Sequence, residues 1–120
     1  MPNQRKLERK KLLAFTLVYT LHPKTLLGYL MDLTVGGTQV EGERSMEVNE
    51  SVTLSIQFPS GTSEAAMLPF QISGKVVRCQ KDESGQYYHT GFEFTEVSPE
   101  QRNTIEAIIE RYSFRKEAAE

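Results

Sequence analysis

The chain has 120 residues, a hydrophobic fraction of 38% and a net charge of −2. These values suit one folded domain of ordinary size, and exclude both a disordered chain and a surface that coats nucleic acid with positive charge throughout. A single cysteine, Cys79, excludes an internal disulfide and a multi-cysteine zinc site, and cytosolic residence is expected.

Residues 1–11 carry Arg5, Lys6, Arg9, Lys10 and Lys11 against one acid, Glu8. They are expected to form a flexible basic arm, because Leu7 is their one apolar side chain beyond Met1 and Pro2. The start is polar, unlike a signal peptide, and no apolar run approaches the ~20 residues of a membrane helix. Membrane insertion is therefore not expected.

Residues 12–20 (LLAFTLVYT) are β-branched and aromatic-rich and predict a strand, with Phe15, Leu17 and Tyr19 on one face. His22-Pro23-Lys24 predicts a turn, since proline has no N–H for a central ladder. Residues 26–33 predict a second strand and Thr38 to Val40 begins a third. From Ser51 to Phe58, Val52, Leu54, Ile56 and Phe58 alternate with Thr53, Ser55 and Gln57, the pattern of a strand with one buried face. Pro59-Ser60-Gly61 opens a loop reaching about Ala66. Residues 70–80 predict another strand with Gly74 at a bulge. Asp82-Glu83-Ser84-Gly85 predicts a hairpin turn, and residues 87–94 its partner strand.

The apolar period then changes. Ser98-Pro99-Glu100-Gln101 offers an N-cap serine, a proline at the first helical position and a glutamine at the capping-box position. Ile105, Ile108, Ile109 and Tyr112 follow at helical spacing. The expected organisation is the arm over 1–11, a β unit over 12–97 and a C-terminal helix over 98–116, forming one domain. Six or so closely spaced antiparallel strands leave a small barrel and a sandwich both open.

The stretch that invites a ligand is Asp32-Leu33-Thr34-Val35-Gly36-Gly37. Asp32 and Thr34 are two apart, so in a strand they share a face. The two glycines allow a sharp turn, with positive φ open to them, and a close approach to the main chain. An aspartate accepts from the N1–H and N2–H₂ groups of guanine. Arginine donates in pairs to guanine O6 and N7 and forks onto phosphate. Arg5 and Arg9 therefore complement Asp32 toward an anionic, guanine-bearing ligand. Catalysis is not expected. His22 and His89 show no paired metal-ligand spacing, no phosphate loop ending in Lys-Ser/Thr is present, and no base is placed to activate Thr34. His89 reads as a structural strand residue, and neither a catalytic group nor a metal site is predicted.

Arg5-x-x-x-Arg9, followed by a strand and by Asp32-x-Thr34-x-x-Gly37, resembles the PilZ domain family. Gly74-Lys75-Val76-Val77-Arg78 and Gly91-Phe92-Glu93-Phe94 look like the last two strands of such domains. The resemblance covers about residues 5–110. Thr34 stands where serine is usual and keeps the hydroxyl, and Gln4 stands where many members have a further arginine. The resemblance implies a six-stranded antiparallel β-barrel with a C-terminal helix that binds the bacterial second messenger cyclic di-GMP, with no other cofactor. Carried over residue by residue, it assigns Arg5, Arg9, Asp32, Thr34 and Gly37 to the ligand, with Arg78 as a further contact. It also implies a stand-alone cytoplasmic receptor that relays its signal to an effector protein in motility or exopolysaccharide control. Two alternatives differ in class. One is an adaptor of the same fold that does not bind the nucleotide. The other is a small barrel binding single-stranded nucleic acid, using the arm and its Tyr and Phe side chains, against which the acidic balance speaks.

Overall fold

The computed structural model describes residues 11–13, 16–57 and 69–114. Eight strands and one helix follow in order: β1 (Lys11–Leu13), β2 (Leu17–Thr20), β3 (Thr25–Thr34), β4 (Gly37–Gly42), β5 (Ser51–Gln57), β6 (Phe70–Lys81), β7 (Tyr88–Glu96), α1 (Pro99–Arg111) and β8 (Tyr112–Phe114). Six of the strands close a barrel in the order β2-β3-β4-β7-β6-β5. Every neighbouring pair in it is antiparallel. Between the two architectures left open by strand spacing, the chain takes the closed barrel.

The inward faces follow the apolar alternation where the ladder is regular. Leu54 and Ile56 of β5, Ile72 and Val76 of β6, and Phe92 and Phe94 of β7 are buried together with Val18, Val40 and Leu30. In β2 the inward residue is Val18, while Leu17 and Tyr19 are half-buried on its other face. The barrel has four register shifts, one of them between β2 and β3 at Val18/Tyr19, and two of the others shape its outer face. The β3–β4 register shifts between Leu30 and Asp32, and the β6–β7 register shifts between Val76 and Arg78. Each inserts one residue and turns the following side chains to the opposite side. As a result Leu30 and Leu33, three apart, both enter the core, while Asp32 and Thr34 share the outer side. Near the bulge expected at Gly74 the register does shift, between Ser73 and Gly74, but the extra residue is Thr95 on β7, opposite Gly74's strand.

The helix begins where its capping residues place it. Ser98 Oγ accepts from the Gln101 amide at 3.0 Å, and Gln101 Oε1 accepts from the Ser98 amide at 2.9 Å. This reciprocal box satisfies two amides that the first turn leaves without helical partners. Gln101 Nε2 also donates to the Gln71 carbonyl at 2.9 Å, tying the first turn to β6. Ile105 and Ile108 join the core, and Ile109 packs against it. Full burial of one such side chain stabilises by about 1.5–3 kcal/mol.

Two expectations differ at the chain ends. The single strand expected over residues 12–20 is two strands, β1 and β2, and they belong to different sheets. The helix stops at Arg111, short of residue 116, and the next three residues form β8. β8 pairs in parallel with β1, Lys11 opposite Tyr112 and Leu13 opposite Phe114. Tyr112 therefore belongs to a strand and not to the helical stripe. Phe15, Phe58 and the whole loop expected from Pro59 to Ala66 lie outside the described residues.

Candidate functional site

β3 and β4 meet in a hairpin whose last pair is Thr34 with Gly37, leaving Val35 and Gly36 at the tip. The Thr34 hydroxyl organises this tip. It accepts from the Gly36 amide at 3.2 Å and the Gly37 amide at 3.1 Å, and lies 3.3 Å from the Gly37 carbonyl, to which it donates. The Thr38 hydroxyl donates to the Asp32 carbonyl at 2.6 Å, and Phe94 donates its amide to the Gly36 carbonyl at 2.9 Å. The turn is thus fastened from within by Thr34 and from the side by β7.

Neither Gly36 nor Gly37 takes a positive φ, contrary to the conformation the sequence suggested for them. Gly37 is required for a different reason. A Cβ there would collide with the Phe92 backbone carbonyl of β7, whereas a Cβ on Gly36 would meet nothing within 4 Å. The close approach is to the protein's own neighbouring strand.

From this turn the outer face extends across four strands. Asp32 pairs with Gln39, Gln39 with Gly91 and Gly91 with Arg78. The next row toward the turn is Thr34, Gly37, Glu93 and Lys75. Three strand spacings separate Asp32 from Arg78, about 14 Å at the usual sheet geometry. Gly91 leaves the row open in the middle, and the Arg78 side chain lies beside the space its Cβ would fill, with Nη2 3.6 Å away.

A shallow cavity of about 290 Å³ occupies this face, lined by Asp32, Thr34, Gly37, Arg78, Gly91 and Glu93 among others. Of the six residues the sequence assigned to a ligand, four therefore surround one depression. Arg5 and Arg9 lie outside the described residues. Gln39, Gly91 and Glu93 join the face as well, a place that depends on which strands pair and that no local pattern marks. A larger opening of about 780 Å³ lies elsewhere, near Thr20, His22, Arg44 and Glu96, and none of the assigned residues lines it.

The depression offers the Asp32 and Glu93 carboxylates as acceptors, the Arg78 guanidinium as a donor, and the main chain of a tight turn. Its lining holds no histidine or cysteine. Such a surface can hold a polar ligand with both donor and acceptor edges.

The PilZ domain family model matches residues 3–111. The chain belongs to the PilZ domain family. The matched span includes Arg5 and Arg9 as well as the Asp32–Gly37 turn and Arg78. Two solved structures resemble this PilZ chain. The Bacillus subtilis inhibitor of motility MotI/DgrA has a TM-score of 0.62 at 17% identity, with 86% of this chain and 50% of that chain covered. This chain thus spans about half the length of MotI/DgrA. The PilZ domain of YcgR from Escherichia coli, a structure with c-di-GMP, has a TM-score of 0.55 at 17% identity, with 86% and 84% covered. At this identity both establish likeness of fold. Comparison with curated proteins gave no match. Among the described residues, no helix is long and apolar enough to cross a membrane.

Proposed function

We propose that this PilZ domain is a receptor for cyclic di-GMP that relays its signal to a partner protein. The observation that carries this reading is the grouping of Asp32, Thr34, Gly37 and Arg78 around one depression on the barrel's outer face. Asp32 accepts from the N1–H and N2–H₂ edge of a guanine. Thr34 sets the shape of the turn through its hydrogen bonds to the Gly36 and Gly37 amides. Arg78 donates from the far end of the row. Arg5 and Arg9 close over the ligand from the arm, forking onto phosphate and guanine. The YcgR PilZ domain, of like fold, is a structure with this nucleotide, and MotI/DgrA is described as an inhibitor of motility. The first supports nucleotide binding and the second an output in motility; a cytoplasmic location and a link to exopolysaccharide belong to the proposal alone.

Calorimetry with cyclic di-GMP, with GTP and a short oligonucleotide as controls, tests the reading. Micromolar or tighter binding, about 8 kcal/mol or more, is expected for cyclic di-GMP alone. Absence of heat at millimolar ligand makes the protein a PilZ-fold adaptor. Preference for the oligonucleotide makes it a single-strand binder.

A further inference from the structure

Away from this depression, three metal-ligating side chains converge that the proposed receptor function does not use. Glu41, Asp82 and His89 each present one ligand atom, and the three atoms lie within 4.8 Å of one another. They come from separate backbone segments. Glu41 on β4 and His89 on β7 are a directly registered cross-strand pair, with His89 Nε2 3.9 Å from Glu41 Oε2. Asp82 opens the turn between β6 and β7, where its amide donates to the Tyr87 carbonyl at 2.8 Å.

The Asp82 carboxylate is fixed by its own turn. Oδ1 accepts from the Ser84 hydroxyl at 2.7 Å and from the Gly85 amide at 3.0 Å. These donors fix the orientation of the Asp82 carboxylate beside Glu41 and His89.

We propose that Glu41, Asp82 and His89 form a binding site for a divalent transition-metal ion, with zinc the best fit. Zinc takes imidazole and carboxylate ligands at about 2.0–2.2 Å, which sets ligand atoms about 3.4 Å apart in a tetrahedron. The Glu41–His89 separation of 3.9 Å comes within about half an ångström of that spacing. The imidazole selects zinc over magnesium, which favours an all-oxygen octahedral shell. Three protein ligands leave a fourth position for water. The groove of about 490 Å³ that Glu41 borders, with Tyr29, Gly42 and Tyr87, gives room for it. Glu41 and His89 lie two residues along β4 and β7 from Gln39 and Gly91, about 7 Å on the same outer side. The metal would thus join β4 to the β6–β7 hairpin beside the proposed nucleotide face without sharing a ligand residue with it.

The test is a calorimetric titration of the full chain with Zn²⁺ in a non-chelating buffer without nucleotide, beside the same titration with Mg²⁺. Expected are one zinc per chain, much weaker magnesium binding, and a shift of the His89 ring resonances on saturation. His89→Gln and Glu41→Gln should each weaken zinc binding by about tenfold or more, with metal-free melting near that of wild type. Cys79→Ser should bind as wild type, because Cys79 lies apart, hydrogen-bonded with Thr90 and the Met46 amide. No saturable binding at millimolar zinc overturns the proposal. So does stoichiometric binding that survives both His89→Gln and Glu41→Gln.

Discussion

Arg78 and Gly91 are directly paired across β6 and β7, and a Cβ on Gly91 would stand 3.6 Å from Arg78 Nη2. At that distance a methyl group makes ordinary contact, and a larger side chain must displace the guanidinium. Gly91→Ala is therefore expected to bind cyclic di-GMP like wild type. Gly91→Leu should lose affinity as Arg78→Ala does, by up to about 1.5 kcal/mol for an exposed charged donor. Calorimetry on the three variants checks this. Wild-type affinity in Gly91→Leu would remove Arg78 from the ligand contacts.

The two glycines of the turn should respond differently to alanine. Gly37→Ala drives a Cβ into the Phe92 carbonyl, while Gly36→Ala projects into open space at a backbone angle any residue accepts. Thermal or denaturant unfolding should show Gly37→Ala destabilised by about 1–3 kcal/mol, as for other overpacked sites. Gly36→Ala should stay within about 0.5 kcal/mol of wild type. Equal behaviour of the two would mean that the β4–β7 approach is looser than described.

Asp32→Asn is expected to weaken binding although it removes a negative charge from the face of an anionic ligand. Coulomb repulsion alone predicts the opposite sign. A carboxylate presents only acceptors to the guanine edge, whereas an amide sets donors against donors. Unchanged or tighter binding by Asp32→Asn would identify Asp32 as a turn residue that reads no base.

Arg5→Ala and Arg9→Ala should cost binding about 1.5–3 kcal/mol each, the range for a charge-assisted contact. Their melting temperatures without ligand should match wild type, because a basic arm with one internal apolar side chain adds little to a core. Ligand should raise the melting temperature of wild type more than that of either variant. Ile56→Ala, at a fully buried core position, should instead lose about 2–5 kcal/mol of stability. Arginine variants that melt well below wild type without ligand would make these side chains part of the folded unit.

What could be read from the sequence was local. The Ser98–Gln101 box, the strand read from the alternation of Val52, Leu54 and Ile56, and the Asp82–Gly85 turn each depend on residues a few positions apart and stand where expected, except that Ser55, on the other face of that strand, is buried as well. The grouping of Asp32, Thr34 and Gly37 belongs to the same class, since one hairpin brings them together. The rest depends on which strands pair. The extra residues near Met31 and Val77 shift register without a glycine or proline to mark them, so Leu30 and Leu33 could not be assigned to one face by counting in twos. Two adjacent glycines suggest a sharp turn and an approach by a ligand, yet the constraint on Gly37 is the Phe92 carbonyl, supplied by a strand some 55 positions later. β1 and β8 are each three residues long and are joined only through the two ends of the chain, a contact that no local period encodes.

The most direct measurement of the receptor function is a ¹⁵N NMR titration of the chain with cyclic di-GMP. Binding at the proposed face predicts saturable shifts at the Asp32, Thr34, Gly36, Gly37 and Arg78 amides, accompanied by those of Arg5 and Arg9. The α1 amides around Ile105 should move little. No shifts at millimolar ligand would contradict nucleotide binding. Saturable shifts confined to the opening around Thr20, His22 and Arg44 would contradict the site.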